Sequence, residues 1–279
     1  MRWRQFLTPV KSLNAQQAQK YMEDKPGDAF TLLDVRQPGE YEEGHLPGAT
    51  LIPLPDLGER LGEIDSKKPT IVYCAIGGRS RMAAQMLAGK GFDEVYNLSG
   101  GIKAWDSNTA VGPQDEGLAL FSGRENIQEA LTIAYSLEAG LQDFYLAMAP
   151  KGLTSKVQKL FHALAKIETQ HQDHLYGIYQ SLTESPLSRS AFEAQTETDM
   201  VEGGLTTEAY LAQFQPDLSS TVEVISLAMS IEAQALDLYQ RAARNCDDSA
   251  SKKAFMQIAN EEKAHLKQLG HLMERRETA

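Results

Sequence analysis

The sequence holds only two cysteines, Cys74 and Cys246, in 279 residues. That excludes a disulfide framework and any four-thiolate zinc or iron site, which needs close-set pairs. A reducing, cytoplasmic setting fits. No run of about 18 apolar residues occurs, so no membrane-spanning helix is expected. The opening stretch MRWRQFLTPVKSL lacks the apolar core of a signal peptide. Basic excess is missing too, since the net charge is −11. Residues 1–110 carry 13 Lys/Arg against 14 Asp/Glu, whereas residues 111–279 carry 14 against 24. Without a basic patch, nucleic acid is excluded as a partner.

What is present divides in two. Residues 1–106 alternate short β-rich apolar runs, FTLLDV (30–35), TIVYC (70–74) and EVYNL (94–98), with helix-like NAQQAQKYMED and SRMAAQMLAGKGF. Strand alternating with helix predicts an α/β domain, a parallel sheet flanked by helices. The small, polar, turn-rich SNTAVGPQDEG (107–117) reads as the core of a linker taken to span 107–121. Residues 122–279 predict an all-α domain of four long helices at about 123–149, 153–183, 220–245 and 248–276. Ser122/Glu125 and Ser220/Glu223 have capping-box spacing. Roughly 35 residues separate the second and third helices, as a four-helix bundle with one long crossover requires.

The two helical halves repeat at an offset of 94 residues. Glu138 falls on Glu232, Tyr145 on Tyr239, Phe161 on Phe255, Glu168 on Glu262 and His171 on His265. Glu138 and Glu232 sit among apolar neighbours, where a carboxylate is costly unless paired or metal-bound. Glu168 and His171 lie three apart, hence on one helix face, as do Glu262 and His265. Four carboxylates and two imidazoles aimed at one interior suit a pair of iron or manganese ions. Surface glutamates with core histidines would be the bland alternative for any one residue; the matched offset of all six argues against it. His174 has Gln268 as its counterpart and reads as a surface residue. Glu261 could compete with Glu262, but the offset selects Glu262.

Cys74 ends a strand and precedes a helix, at the carboxyl edge of the sheet where ligands bind. The loop Ala75-Ile76-Gly77-Gly78-Arg79-Ser80 offers backbone N–H groups, a helix N-terminus and a guanidinium, all of which favour a thiolate nucleophile. Phosphatase loops place five residues between Cys and Arg. Here there are four, a cradle sized for a persulfide sulfur rather than a phosphate.

On the stretches LLDVRQPGEYEEGHLPGATLIPL (32–54), VYCAIGGRSRMAAQML (72–87) and VYNLSGGIKAW (95–105), residues 1–106 resemble a rhodanese domain. The resemblance implies a sulfurtransferase: Cys74 accepts a sulfane sulfur from a small donor and passes it to a thiol acceptor, with Arg79 and residues 75–80 cradling it. Asp34, Arg36 and Glu40 would be structural ion pairs, and His45 a structural turn residue. Cys246 would be an incidental thiol.

Residues 122–276, with Glu-x6-Tyr and Glu-x2-His each occurring twice, resemble the rubrerythrin branch of the ferritin-like di-iron proteins. That implies two irons held by Glu138, Glu168, His171, Glu232, Glu262 and His265. Glu168 and Glu262 would bridge, and Tyr145 and Tyr239 would orient carboxylates. Reaction with peroxide or dioxygen would follow, fed by an external electron donor, because the four-cysteine rubredoxin module is missing. Peroxidase rubrerythrins usually carry an extra Glu where this chain has Ala235, with Leu141 in the matching place. Glu202 could replace it only if the crossover folds over the site. A redox or sulfur sensor, an iron store and a manganese catalase are the competing readings. Members of this family often pair as homodimers, which a long crossover permits.

Overall fold

A computed structural model describes residues 9–106, 108–183, 185–195, 201 and 204–277. It divides into two units, Met1–Gln114 and Asp115–Ala279. Glu202 lies outside the described residues.

In the first unit five parallel strands form one sheet in the order β1-β5-β4-β2-β3. They are β1 (Lys11–Leu13), β2 (Thr31–Asp34), β3 (Thr50–Leu51), β4 (Thr70–Tyr73) and β5 (Val95–Leu98). Helices α1 (Ala15–Glu23), α2 (Pro38–Glu42) and α3 (Gly78–Gly89) supply the connections. Strand side chains alternate between two cores, as the pleat requires. Leu33, Val72, Cys74 and Val95 face α3, while Leu32, Ile71, Tyr73 and Leu98 face the other side. The central strands β4 and β5 are buried throughout, which explains their unbroken apolar runs. The expected α/β class is what the chain forms.

The second unit is a bundle of α4 (Ile127–Met148), α5 (Ser155–Leu182), α8 (Thr221–Asn245) and α9 (Ser249–Glu277). Among the described residues of the crossover lie two short helices, α6 (Arg189–Glu193) and α7 (Thr207–Phe214). Helix α4 packs chiefly on α5, and α8 on α9. The first long helix begins later than expected. Glu125 accepts from the backbone N–H groups of Ser122 and Gly123, closing a turn, and the helix is capped instead by Asn126 with Glu129. Ser220 caps α8 as expected.

The bundle has two apolar clusters. One holds Ala130–Leu137 positions of α4, Leu175 and Tyr179 of α5, Leu238 and Tyr239 of α8, and Phe255 of α9. The other holds Leu141 and Phe144 of α4, Phe161 and Leu164 of α5, Ile225 and Ile231 of α8, and Leu269 of α9. Following the clusters along each helix shows that α4 and α9 run one way and α5 and α8 the other. Helices α5 and α8 are therefore parallel, and the long crossover carries the chain back to the same end.

Of the expected linker, the described residues 108–121 do not stand apart from both units. Ala110 bridges to His45, with backbone bonds of 2.8 and 2.9 Å, and Gly112 N–H donates to Glu42 O. Beyond Gln114, Leu118–Leu120 form a 3-10 turn, and the Phe121 ring meets Phe255 edge-on at 5.1 Å. Apolar Ala110, Leu118, Leu120 and Phe121 give these residues something to bury, which the polar composition of the segment hides.

Candidate functional site

Two sites emerge, one per unit. Cys74 follows β4 at the mouth of a loop that ends in α3. The sulfur is sealed at 1% residue exposure, while the neighbouring Ile76 is 68% exposed. Gly77, at φ +95°, turns the chain so that its N–H donates to Cys74 Sγ at 3.1 Å. Ser80 Oγ reaches the same sulfur at 3.5 Å. Burial alone raises the thiol. Hydrogen bonds from the Ser80 hydroxyl and from the N–H groups of Ser80, Ile76 and Gly77 outweigh it and bring the thiol below its ordinary value.

Behind the loop stands the turn Ser99-Gly100-Gly101. Ile102 N–H donates to Cys74 O at 2.9 Å and Lys103 N–H to Ala75 O at 3.1 Å. Gly101 has φ +61°, and a Cβ there would overlap the carbonyls of Cys74 and Ala75. The glycine is thus required by both conformation and close approach. Arg79 forms a two-pronged pair with Glu40 at 2.6 and 2.7 Å, and its charge also acts on Cys74. Glu40 is held down to about 2, chiefly by the Arg79 guanidinium. Asp34 and Arg36 pair with each other in the core, and Arg36 also donates to Gly44 O. Glu40 is therefore tied to the loop, whereas Asp34 and Arg36 are not. His45 stacks on Tyr41 at 3.6 Å and contacts Tyr41 O through Nδ1.

In the bundle, the six expected ligand residues all fall in the gap between the two apolar clusters. They form two groups, Glu138/Glu168/His171 and Glu232/Glu262/His265, whose ligand atoms lie within 4.8 Å of one another in each group. His171 Nδ1 is 2.7 Å from Glu168 Oε2 and 3.3 Å from Glu138 Oε2. His265 Nδ1 is 3.0 Å from Glu262 Oε2 and 3.5 Å from Glu232 Oε2. The four carboxylates are buried, at 1–3% exposure. Burial, together with the charges of Glu138 and Glu232, drives Glu168 well above the usual carboxylate range. For His171, burial pulls downward, but Glu138 and Glu168 more than offset it and hold the ring up at about 11.

These residues fit a pair of divalent cations. Oε2 of Glu168 and Oε2 of Glu232 are shielded from solvent and, among the described residues, accept no hydrogen bond of good geometry. Four carboxylates would match two divalent charges, and an N/O donor set of this kind suits iron or manganese.

Tyr145 and Tyr239 are both buried, Tyr145 with its ring 6.3 Å from Phe161 and Tyr239 6.5 Å from Phe255. The duplication therefore extends to the packing of each tyrosine. His174 and Glu261, neither of them among the six expected ligands, pair with each other at 3.1 Å. Leu141 and Ala235 are fully buried and apolar. Cys246 contacts Asp248 O at the α8–α9 junction.

Sequence reading did not single out Asn97, which is buried and hydrogen-bonded to Ser80. Only its polar side chain inside the apolar run VYNL could have marked it.

The rhodanese-like domain family matches residues 14–108, and the rubrerythrin family matches residues 129–275, more than half of the chain. Among curated proteins, YqhL of Bacillus subtilis is 50% identical over 74 residues, 26% of this chain and 59% of that protein. The chloroplastic rhodanese-like/PpiC domain-containing protein 12 of Arabidopsis thaliana is 40% identical over 102 residues, 35% of this chain and 34% of that protein. The chain thus spans less than two thirds of either relative. A crystal structure of a rhodanese-like domain protein from Staphylococcus aureus matches with 29% identity and a TM-score of 0.34, covering 37% of this chain and 98% of that one. No described helix is long and apolar enough to cross a membrane. The chain belongs to the rubrerythrin family, with a rhodanese-like domain ahead of its rubrerythrin domain.

Proposed function

We propose that the chain is a rhodanese-type sulfurtransferase joined to a dinuclear metal centre that reacts with peroxide or dioxygen. The Gly77 N–H on Cys74 Sγ at 3.1 Å, in a loop that favours the thiolate, carries the first half. The thiolate attacks the sulfane sulfur of a donor such as thiosulfate. The donor S–S bond breaks, sulfite leaves with the electron pair, and Cys74 keeps the sulfur as a persulfide. An acceptor thiolate then takes the outer sulfur and Cys74 leaves as thiolate. The loop N–H groups and Arg79 hold the negative charge at each stage.

In the bundle, Glu138, Glu168 and His171 would hold one ion and Glu232, Glu262 and His265 the other. When bound, a redox-active metal pair supplies electrons to peroxide or dioxygen and recovers them from an external donor. By family resemblance, Glu168 and Glu262 would be among the carboxylates that hold the pair, and Tyr145 and Tyr239 would steady carboxylates. Buried Leu141 and Ala235 place no further carboxylate there, so peroxide turnover slower than in rubrerythrins with the extra Glu is expected. Manganese suits the same donors.

Two measurements test the proposal. Metal content per chain, with the visible spectrum before and after peroxide, should give about two irons and a band that bleaches on reduction and returns with peroxide. Sulfur transfer from thiosulfate to cyanide should be present and vanish in Cys74→Ser. Absence of bound metal, with none taken up from ferrous or manganous salts, overturns the second half. Absence of transfer from thiosulfate or a persulfide donor overturns the first.

A further inference from the structure

One buried polar chain ends on the reactive sulfur. Ser12 is paired in register with Asn97 across β1 and β5. Asn97 Nδ2 lies 3.3 Å from Ser12 Oγ, Asn97 Oδ1 lies 2.7 Å from Ser80 Oγ, and Ser80 Oγ lies 3.5 Å from Cys74 Sγ. Asn97 and Ser80 are 1% and 0% exposed, while Ser12 is at the surface. The chain therefore runs from the solvent edge of the sheet, through the core, to the nucleophile.

Its chemistry has two directions. Ser80 has one hydroxyl proton for two acceptors within reach, Cys74 Sγ and Asn97 Oδ1, and in one arrangement of the chain Asn97 Oδ1, at 2.7 Å, takes it. In this arrangement Ser80 offers the sulfur only a lone pair, which suits a thiol S–H. A half-turn of the Asn97 amide exchanges its ends. Nδ2 then donates to Ser80 Oγ, Ser12 donates to Oδ1, and the Ser80 proton turns to the sulfur, which suits a thiolate or a persulfide anion. Both arrangements satisfy every member of the chain, as a buried polar network must.

We propose that Asn97 is a positioning residue for Cys74, its amide setting the direction of the Ser12–Asn97–Ser80 chain and so deciding whether Ser80 donates to the sulfur. The inference rests on the reading of Cys74 as a nucleophile. Other groups also lie around the sulfur. Arg79 and its partner Glu40 are the charged groups described at the loop, and Tyr73 and Asp34 occupy the opposite face of the sheet. Val72 and Ala83 pack apolar against the same core as Cys74.

The test is the rate of Cys74 alkylation by iodoacetamide against pH, in the full chain. Following the Cys74 peptide by mass spectrometry removes any signal from Cys246. Ser80→Ala and Asn97→Leu should each raise the alkylation midpoint by about one pH unit, roughly tenfold in thiolate at neutral pH. The double variant should match Ser80→Ala alone. Asn97→Asp keeps the side-chain shape but accepts only, so it should raise the midpoint as well; it carries the test if the leucine variant does not fold. An unshifted midpoint in both Asn97 variants, or an Asn97→Leu shift that persists in full on the Ser80→Ala background, overturns the proposal. Thiosulfate-to-cyanide transfer by the unaltered chain separates the two readings. Midpoints that move as expected without any transfer, from thiosulfate or from a persulfide donor, leave the positioning role standing and remove the sulfurtransferase reading. Transfer with unmoved midpoints removes the positioning role alone.

Discussion

The imidazoles of His171 and His265 stack 3.7 Å apart and within 5° of parallel. They come from α5 and α9, one from each helical hairpin, and occupy equivalent places in the duplication. Each ring turns Nδ1 toward the two glutamates of its own group. Two cationic rings face to face would repel. Neutral rings, each giving a lone pair to a cation held by its own carboxylates, would remove that conflict. The stack is thus the seam at which the two Glu/Glu/His groups meet.

Glu168→Gln tests the half-sites. Its carboxylate is 1% exposed and crowded by Glu138 and Glu232. The amide has the same shape without the charge, so the metal-free chain should gain stability while metal affinity falls. At least half of the bound iron should be lost, by elemental analysis. The rise in melting temperature on adding ferrous or manganous ion should shrink by the same logic, since ligand stabilisation scales with occupancy. An unchanged metal content would show that Glu168 is not a ligand.

Much of this site is legible in the sequence because two independent periods coincide. The i,i+3 spacing places Glu and His on one face, and the 94-residue offset repeats the whole set. Elements without such redundancy are not legible. Strands β1 and β3 have three and two residues, too short for an alternation to show, and KSL of β1 is largely exposed. The start of α4 is ambiguous because Ser122/Glu125 and Asn126/Glu129 both have capping spacing. The box next to the apolar run beginning at Ile127 wins. The pairing of Glu40 with Arg79, and of Asn97 with Ser80, depends on which strands and helices become neighbours, and no local pattern encodes that.

Glu40→Gln probes the support of Arg79. The folded-state value of Glu40, about 2, lies below its ordinary 4.5. A depressed carboxylate stabilises the fold above its unfolded value and loses that contribution as pH falls through the folded one. The unaltered chain should therefore be more acid-resistant than the variant at pH 5, with the difference fading between about 4.5 and 2. Acid titrations of the two proteins, followed by circular dichroism, would show parallel curves over that window if Glu40 makes no such contribution. Released from Glu40, Arg79 should also hold the loop less firmly, lowering sulfur transfer.

Asp237→Ala addresses the bundle away from its ligands. Asp237 and Arg241, one turn apart on α8, are both buried, and Arg241 Nε donates to Asp237 Oδ2 at 2.7 Å. Arg241 also donates to Glu116 O at 2.7 Å, fastening the segment before α4 to α8. Removing the carboxylate takes a buried counter-charge away from the guanidinium, at a cost of about 3–5 kcal/mol. The same cost should be largely absent from a double replacement, Asp237→Leu with Arg241→Met, which removes both charges. Urea unfolding of the metal-free proteins, monitored by helical ellipticity, compares the two. Equal destabilisation of the single and double variants would show that packing, not charge pairing, is what the two side chains supply.

Gly101→Ala is the sharpest test of the Cys74 loop, because it alters no group that touches the sulfur. A methyl there would strike the carbonyls of Cys74 and Ala75, and the residue would have to keep φ +61°. The backbone must shift, and the bonds from Ile102 N–H to Cys74 O and from Lys103 N–H to Ala75 O shift with it. Strain of this kind costs about 1–3 kcal/mol, and a loop displaced by about 1 Å loses on the order of a hundredfold in rate. Sulfur transfer should therefore fall steeply while the metal content of the rubrerythrin domain stays unchanged. The alkylation midpoint of Cys74 should rise as Gly77 N–H loses its aim at the sulfur. A variant with normal transfer and a normal midpoint would mean that the loop holds its shape without the turn behind it.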